Sequence, residues 1–526
     1  MKKLLSLTLI VTVLFTFTAC SSQETNSDTK DPQNQKSGSQ ATERTEPVNL
    51  DGEVNGEITV YCYDSTFYKN YLEAGAKEFE AKYPGTKVNI ESFSTAPEVK
   101  SSTTKNGGTI KMITNNRDTK SENDYINRIN TELMTGEGPD ILAMDILPYY
   151  KYAENGQLVD LNAYMDADKD FQKEDYRQNV LEATNYKGGQ YIFPMGYNFD
   201  VLGYDKTILD PAEQENLNPN EAYTYDQLIE IGQDSFENQK NMDKENPLKM
   251  FDRSSGSTGA GTMFNQLFQL DYKQFVDIEN KTANFTGGQF EKVLETVKEY
   301  EENGYLNVPV EKKAEDMLKV SSSQSFLFRT VGDNMLLQAF DDNNGKKMNI
   351  TFNGGGQFTE NDEIAGILKN DKDQIVFDYT QAYAMNANSQ NKNTSWAFLK
   401  YLAGEEMQTS TTLMGCPVNI KAGEEKAKLQ IQIAGKNAVP LTDKGAGKDT
   451  KKQSGAVELD EKQTEIFNNY NKALNQYSDM LNTYMIHDTV IDDMVNEEVK
   501  YFFDGSKSAK EVAEILQGKV ELYLNE

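Results

Sequence analysis

Residues Ile126 to Asp145 read INRINTELMTGEGPDILAMD: Ile126, Ile129 and Leu133 at helical spacing, a Gly138-Pro139 turn, then Ile141-Leu142-Ala143-Met144 running straight into a carboxylate. Apolar positions three and four apart line one face of a helix, whereas a short unbroken apolar run after a turn is a buried strand. The same order occurs upstream. Ile58 to Tyr63 is a continuous apolar run, followed by Phe67, Tyr71, Leu72, Ala76, Phe79 and Tyr83 at helical spacing, Pro84-Gly85 as a stop, and Val88-Asn89-Ile90 opening another strand. Strand, helix and strand in one short span form the βαβ unit of a parallel sheet covered by helices, so the expected fold class is α/β. Asp64 and Asp145 each stand just past the carboxyl end of a buried strand, the edge of an open α/β sheet where loops and helix N-termini converge on ligands. Each carboxylate there either accepts hydrogen bonds from a ligand or caps the helix that follows.

The chain has 526 residues, enough for two or three domains, and 37 % hydrophobic residues with 28 Tyr and 25 Phe supply a core. Lys2 and Lys3 precede an apolar run, Leu4 to Phe17, too short for a membrane span, so residues 1–19 read as a signal peptide. Thr18-Ala19-Cys20-Ser21 resembles the lipobox of bacterial lipoproteins, which makes Cys20 the expected lipid anchor. Residues 20–50 are polar and without periodicity, a flexible tether. Removing the leader takes the net charge from -30 to -32, and a chain so acidic is no partner for nucleic acid.

Cys62 and Cys416 read as buried thiols, with a disulfide between them as the alternative, and their spacing suggests no metal site. The single histidine, His487, cannot build a Ser-His-Asp triad from a Gly-x-Ser-x-Gly elbow that is absent, and it reads as a helix-surface residue. Asp166, Asp168 and Asp170 are spaced like a calcium loop, but Phe171 replaces the turn glycine and Arg177 the bidentate glutamate. Further helices are expected over TYDQLIEIGQDSF, over EKVLETVKEYEENGYL with Asn303-Gly304 as its end, and over NTSWAFLKYLAGEEMQ with Thr394 or Ser395 as its cap. Leu441 to Gln463, rich in Gly and Lys, reads as a surface excursion, and Lys462 to Glu526 as nearly all helical.

Taken together, EITVY and FEAKYPGTKV, INTELMTGEGPDILAMD, YIFPMGYNFDVLGYDKTIL, SWAFLKYLAGEEMQ, GCPVN and YFFDGSKSAKEVAEILQGKVELYL resemble the extracellular solute-binding proteins that feed sugar-type ATP-binding-cassette importers, a family to which maltose-binding protein is related. The resemblance implies two lobes with helices flanking mixed, mostly parallel sheets, joined by hinge crossovers and closing on a ligand. It implies lobe 1 from residues 51–195 and 380–422, and lobe 2 from 196–379, completed by the helical 423–526. Tyr191 to Tyr204 resembles the first hinge crossing, and Tyr379 to Met385 the returning strand.

On that geometry the expected ligand-binding residues are Tyr63, Asp64 and Asp145 at the crest, Tyr197 and Asn198 at the hinge mouth, Phe264 and Phe268 after the SSGSTGAGT loop, and Arg329. A structural carboxylate is the other expected partner for Arg329. The family's sugar binders commonly stack sugars on several Trp rings; here Trp396 is alone and on a core-like helix, so Tyr and Phe must supply the platforms. The expected protein is a monomeric, non-catalytic, lipid-anchored receptor on the outer face of the cell membrane, needing no cofactor. It would bind an oligosaccharide or similar polyhydroxylated solute and deliver it to a membrane permease. The alternatives are a glycosidase-like secreted enzyme, the same receptor with a peptide or polyamine ligand, and an adhesive lipoprotein.

Overall fold

A computed structural model describes residues 48–94, 98–103, 109–114, 118–244, 247–253, 259–306, 325–333, 336–340, 361–435, 458–486 and 488–526. The signal peptide, Cys20, most of the tether, residues 254–258, most of the Leu441 to Gln463 segment and His487 lie outside them. No helix among the described residues is long and apolar enough to cross a membrane.

The opening strand Gly56–Cys62 pairs in parallel with Thr86–Ser92 on one side and with Ile141–Ala143 on the other. Paired along both edges, it buries Ile58, Val60 and Cys62 completely. Between the first two strands runs the helix Phe67–Lys82, which buries Tyr71, Leu72 and Phe79 and ends before Gly85 at φ 98°. The helix Thr119–Met134 buries Tyr125, Ile129 and Leu133 and leads to Ile141–Ala143, whose three side chains are all buried.

Beyond Ile141–Ala143 the sheet continues antiparallel through Val376–Met385, Phe193–Asn198 and Cys416–Pro417, and Thr483–Tyr484 adds a seventh strand in parallel at Val376 and Phe377. The otherwise helical C-terminal segment therefore also contributes a strand to the first sheet. A second, five-stranded sheet runs Ala222–Tyr223, Asp362–Leu368, Asp200–Asp205, Phe326–Gly332 and Lys249–Arg253, again mixing parallel and antiparallel pairings. The chain passes from the first sheet to the second at Phe199, between Phe193–Asn198 and Asp200–Asp205.

The helix Lys392–Ala403 packs on Phe67–Lys82 through Phe398 against Phe79, ring centroids 5.1 Å apart, and through Tyr71 Oη donating to Leu402 O at 2.6 Å. That approach needs Gly75: a Cβ there would meet Leu402 Cδ2 at 2.4 Å. The helix starts at Lys392 on Asn391, without a side-chain cap, because the expected cap residue Thr394 donates its hydroxyl to Asn55 O instead and Ser395 is buried. Trp396 is core, 2 % exposed, with Nε1 donating to Asp168 Oδ2 at 2.8 Å. Asp168 also accepts from Lys400, and Phe171 stacks on Tyr176, so this turn is anchored to the core while Asp166 and Asp170 stay exposed. The helix Gln289–Glu302 ends at Asn303 and Gly304, and packs with Ala260–Leu270 and the last two helices, Thr489–Phe503 and Ala509–Asn525.

Candidate functional site

The carboxyl ends of Gly56–Cys62 and Ile141–Ala143 lie side by side, so the residues after them meet. Asp64 N donates to Asp145 Oδ2 at 2.6 Å. Asp64 Oδ1 in turn accepts from Thr66 N at 2.8 Å and Tyr68 N at 3.0 Å, closing the first turn of Phe67–Lys82. One oxygen of Asp64 thus acts as a helix cap. Asp145 accepts from its neighbour's N–H at Ile146 and stays partly exposed. Burial, then the charge of Asp64, pushes its carboxyl up to about 7 against the pull of the backbone N–H donors.

Tyrosines surround this pair. Tyr63 packs on Tyr125 at 5.6 Å, and Tyr68 on Tyr383 at 5.8 Å. Tyr379 Oη donates to Met144 O at 2.8 Å and stacks on Tyr484, centroids 5.1 Å apart and 15° between planes. Tyr484 meets Tyr149, which meets Tyr150. Tyr383 Oη and Gln381 Oε1 are buried without a hydrogen-bond partner among the described residues. A band of phenols therefore runs from Asp145 along the sheet edge.

The band ends against the other half of the molecule. Tyr150 Oη donates to Asp488 Oδ2, and Tyr523 Oη donates to both oxygens of Asp488 at 3.0 and 3.1 Å. Asp488 also caps Thr489–Phe503, accepting from Val490 N and Ile491 N, and burial pushes its carboxyl up. Lys151 Nζ lies 3.4 Å from the Tyr523 ring centroid and donates to Tyr523 O. Tyr149–Glu154 is tied to the first sheet's helices by Tyr152 Oη donating to Asn130 Oδ1, whereas the Asp488 and Tyr523 helices pack on Gln289–Glu302. The tyrosine band thus lies between the two layers.

The expected residues separate into two groups. Tyr63, Asp64 and Asp145 come together at the crest, and Asn198 is exposed at the crossing. Tyr197 is 1 % exposed, its hydroxyl within 2.7 Å of Ser478 Oγ, so it belongs to the packing of the crossing and not to a free face. Phe264 and Phe268 are corrected to core: they are 1 % and 2 % exposed inside one helical layer, with Phe275, Phe285 and Phe290 around Phe268. Arg329 is corrected to a structural ion pair, 4.0 Å from Asp252 and 3.7 Å from Asp362. Cys62 and Cys416 are buried free thiols, and no disulfide joins them. Sequence reading did not single out Tyr149, Tyr150, Tyr379, Tyr484, Asp488 and Tyr523, because nothing local marks a tyrosine as facing another layer; Tyr149, Tyr150, Tyr484 and Asp488 are themselves buried in the packing between the layers.

A separate cavity of about 70 Å³, lined by Thr224, Tyr225, Asp271 and Tyr300 among others, lies beside the second sheet, away from the crest.

Residues 99–427 match the family described as bacterial extracellular solute-binding protein. The chain belongs to that family. The erythritol/L-threitol-binding protein of Mycolicibacterium smegmatis is 23 % identical over 312 residues, covering 55 % of this chain and 61 % of that relative, so the match spans under two thirds of its length. Among solved structures, a family 1 extracellular solute-binding protein from Alicyclobacillus acidocaldarius superposes with a TM-score of 0.53 at 14 % identity, covering 90 % of this chain and 100 % of that one. The cyclic alpha-maltosyl-1,6-maltose binding protein of Arthrobacter globiformis gives 0.51 at 16 %, covering 89 % and 99 %. At such identities the likeness establishes the two-lobed fold of this solute-binding protein.

Proposed function

We propose that this solute-binding protein is the lipid-anchored receptor of an ATP-binding-cassette importer, capturing an oligosaccharide or similar polyhydroxylated solute between its lobes and handing it unchanged to a membrane permease. The observation that carries the reading is the Asp64 and Asp145 pair at the sheet crest, continued by the tyrosine band. Carboxylates accept from sugar hydroxyls, and tyrosine rings give apolar faces with a polar rim. The relatives whose names mention a tetritol and a maltosyl sugar agree with this chemistry. The proposed contacts are Tyr63, Asp64, Asp145 and Asn198, with Tyr149, Tyr150 and Asp488 reached when the layers part. Lobe 1 is read as residues 51–195 with 380–422, and lobe 2 as 196–379 with 423–526, closing by rotation about the crossings. The anchor is Cys20, which holds a monomer at the outer face of the cell membrane, and the receptor does no catalysis.

An amine-bearing solute such as a polyamine is the second reading, favoured by the two adjacent carboxyls of Asp64 and Asp145. A thermal-shift screen against sugars, polyols, peptides and polyamines tests both. Solute at 100 times its dissociation constant stabilises the folded protein by about 2.7 kcal/mol. A rise with one carbohydrate series, recovered unhydrolysed, supports the first reading; a response to amines alone replaces it with the second, and hydrolysis of any solute overturns the receptor reading.

A further inference from the structure

Phe199 alone spans the first passage between the two sheets, the return running through residues 369–375 between Asp362–Leu368 and Val376–Met385, and one residue holds both backbone polar groups of Phe199. Asp333 N donates to Phe199 O at 2.8 Å, and Phe199 N donates to Asp333 Oδ1 at 3.3 Å. Asp333 follows directly on Phe326–Gly332 of the five-stranded sheet and is 3 % exposed. Its other oxygen, Oδ2, accepts the thiol hydrogen of Cys416 at 2.9 Å, and Cys416 pairs with Tyr197 in the seven-stranded sheet. A single buried carboxylate therefore touches the end of one sheet, the edge strand of the other and the residue between them.

We infer that Asp333 is the positioning residue of the inter-sheet hinge: its carboxyl group, held by Phe199 N and Cys416 Sγ, fixes the angle between the two sheets, and loss of either contact frees the crossing. This goes beyond solute binding and does not depend on which solute is bound.

Both partners are donors, so each carboxyl oxygen of Asp333 is occupied by one of them. Removing either partner leaves a buried polar group unsatisfied, which is costly, so the arrangement loosens instead of persisting under strain. The facing groups are few. Lys426, from Ile420–Gly435, donates to Leu413 O at 2.8 Å and Gly415 O at 3.0 Å, and burial lowers its ammonium to about 8. Asp200 bears on Asp333 from the strand after the crossing, Arg177 acts on Cys416, and the buried phenols of Tyr197 and Tyr470 face the same charge. Burial, outweighing the Cys416 and Phe199 donors, pushes Asp333 up to about 6. Opening the crossing to water would return this carboxyl to its ordinary range, so protonation below about pH 6 favours the buried arrangement instead of loosening it.

The test is a spin-label distance measurement without solute, on the full chain carrying C20S with labels at K77C and E230C, two exposed sites on helices flanking the different sheets. The latch gives one narrow distance distribution at pH 7.5 that stays narrow on mild acidification through pH 6. C416S, which keeps a donor, retains the narrow distribution, whereas C416A and D333N are broad at both ends of the range. Melting curves identify any variant that fails to fold, and C416A then carries the comparison without D333N. Distributions in C416A and D333N that overlay the parent at every pH overturn the inference. Solute titration of the same samples separates this outcome from failure of the receptor reading, because the hinge distances are read with the cleft empty.

Discussion

Asp145, at the crest beside Asp64, carries a pH signature. Its carboxyl stands near 7 in the folded chain against about 3.9 in an unfolded one. Between those values the folded state holds a proton that the unfolded state has released, so this group's contribution to stability is largest in acid and is lost as the pH rises towards 7. D145N removes that slope. Melting temperatures of parent and variant across pH 4 to 8 check it: the parent's advantage in acid relative to D145N should shrink towards neutrality, and parallel curves would refute the shift. The same substitution is expected to weaken solute binding, with the change in affinity between pH 6 and 8 abolished. Phe268 gives the opposite case. Packed among rings inside one layer, it is expected to cost about 3–5 kcal/mol on F268A, measured by denaturant unfolding, while leaving the solute dissociation constant unchanged. A lost affinity at normal stability would return Phe268 to the site.

The elements were legible in proportion to how local their signals are. Phe67–Lys82 and Thr119–Met134 declare themselves by apolar spacing, and their stops by Gly85 and Gly136. The cap of Lys392–Ala403 departs from the sequence reading because Thr394 and Ser395 have the right chemistry for a cap but are drawn into the core by Asn55 and by burial. Cys416–Pro417 is a two-residue strand that no propensity could find; it exists because Gly415 lets the chain come within contact of its neighbour. Gly415 has φ 69°, and a Cβ there would stand 2.5 Å from Tyr197 O and 2.6 Å from Thr380 Cγ2. G415A must move this edge strand and adopt a left-handed backbone that costs about 1–2 kcal/mol by itself. A fall in stability of at least about 2 kcal/mol in urea unfolding is expected. No loss would mean that the strand is not held there.

At the scale of the molecule, the two sheets share one continuous core, yet the chain crosses between them over short spans, Phe199 in one direction and residues 369–375 in the other. Lobe closure should therefore rotate layers and leave their interiors untouched. The single Trp396, buried between Tyr164 and Phe171 and bonded to Asp168, reports on such an interior. Its emission is expected to be that of a buried indole and to change little when solute is added, while small-angle scattering reads a smaller radius of gyration. A large emission change on binding would place the solute, or a rearrangement, at the first layer's core.

The sequence by itself determined the α/β class, the helices, the crest carrying Asp64 and Asp145, and the family, because these rest on periodicity, turn residues and the order of motifs along the chain. Only the tertiary structure decided that Phe264, Phe268 and Arg329 are structural, that Cys62 and Cys416 stay apart, and that Tyr150 meets Asp488 across the layers. Those outcomes depend on which faces residues hundreds of positions apart present to one another. A side chain's local neighbours fix its chemistry, but the packing of distant elements fixes whether that chemistry points at a solute, a partner or the core.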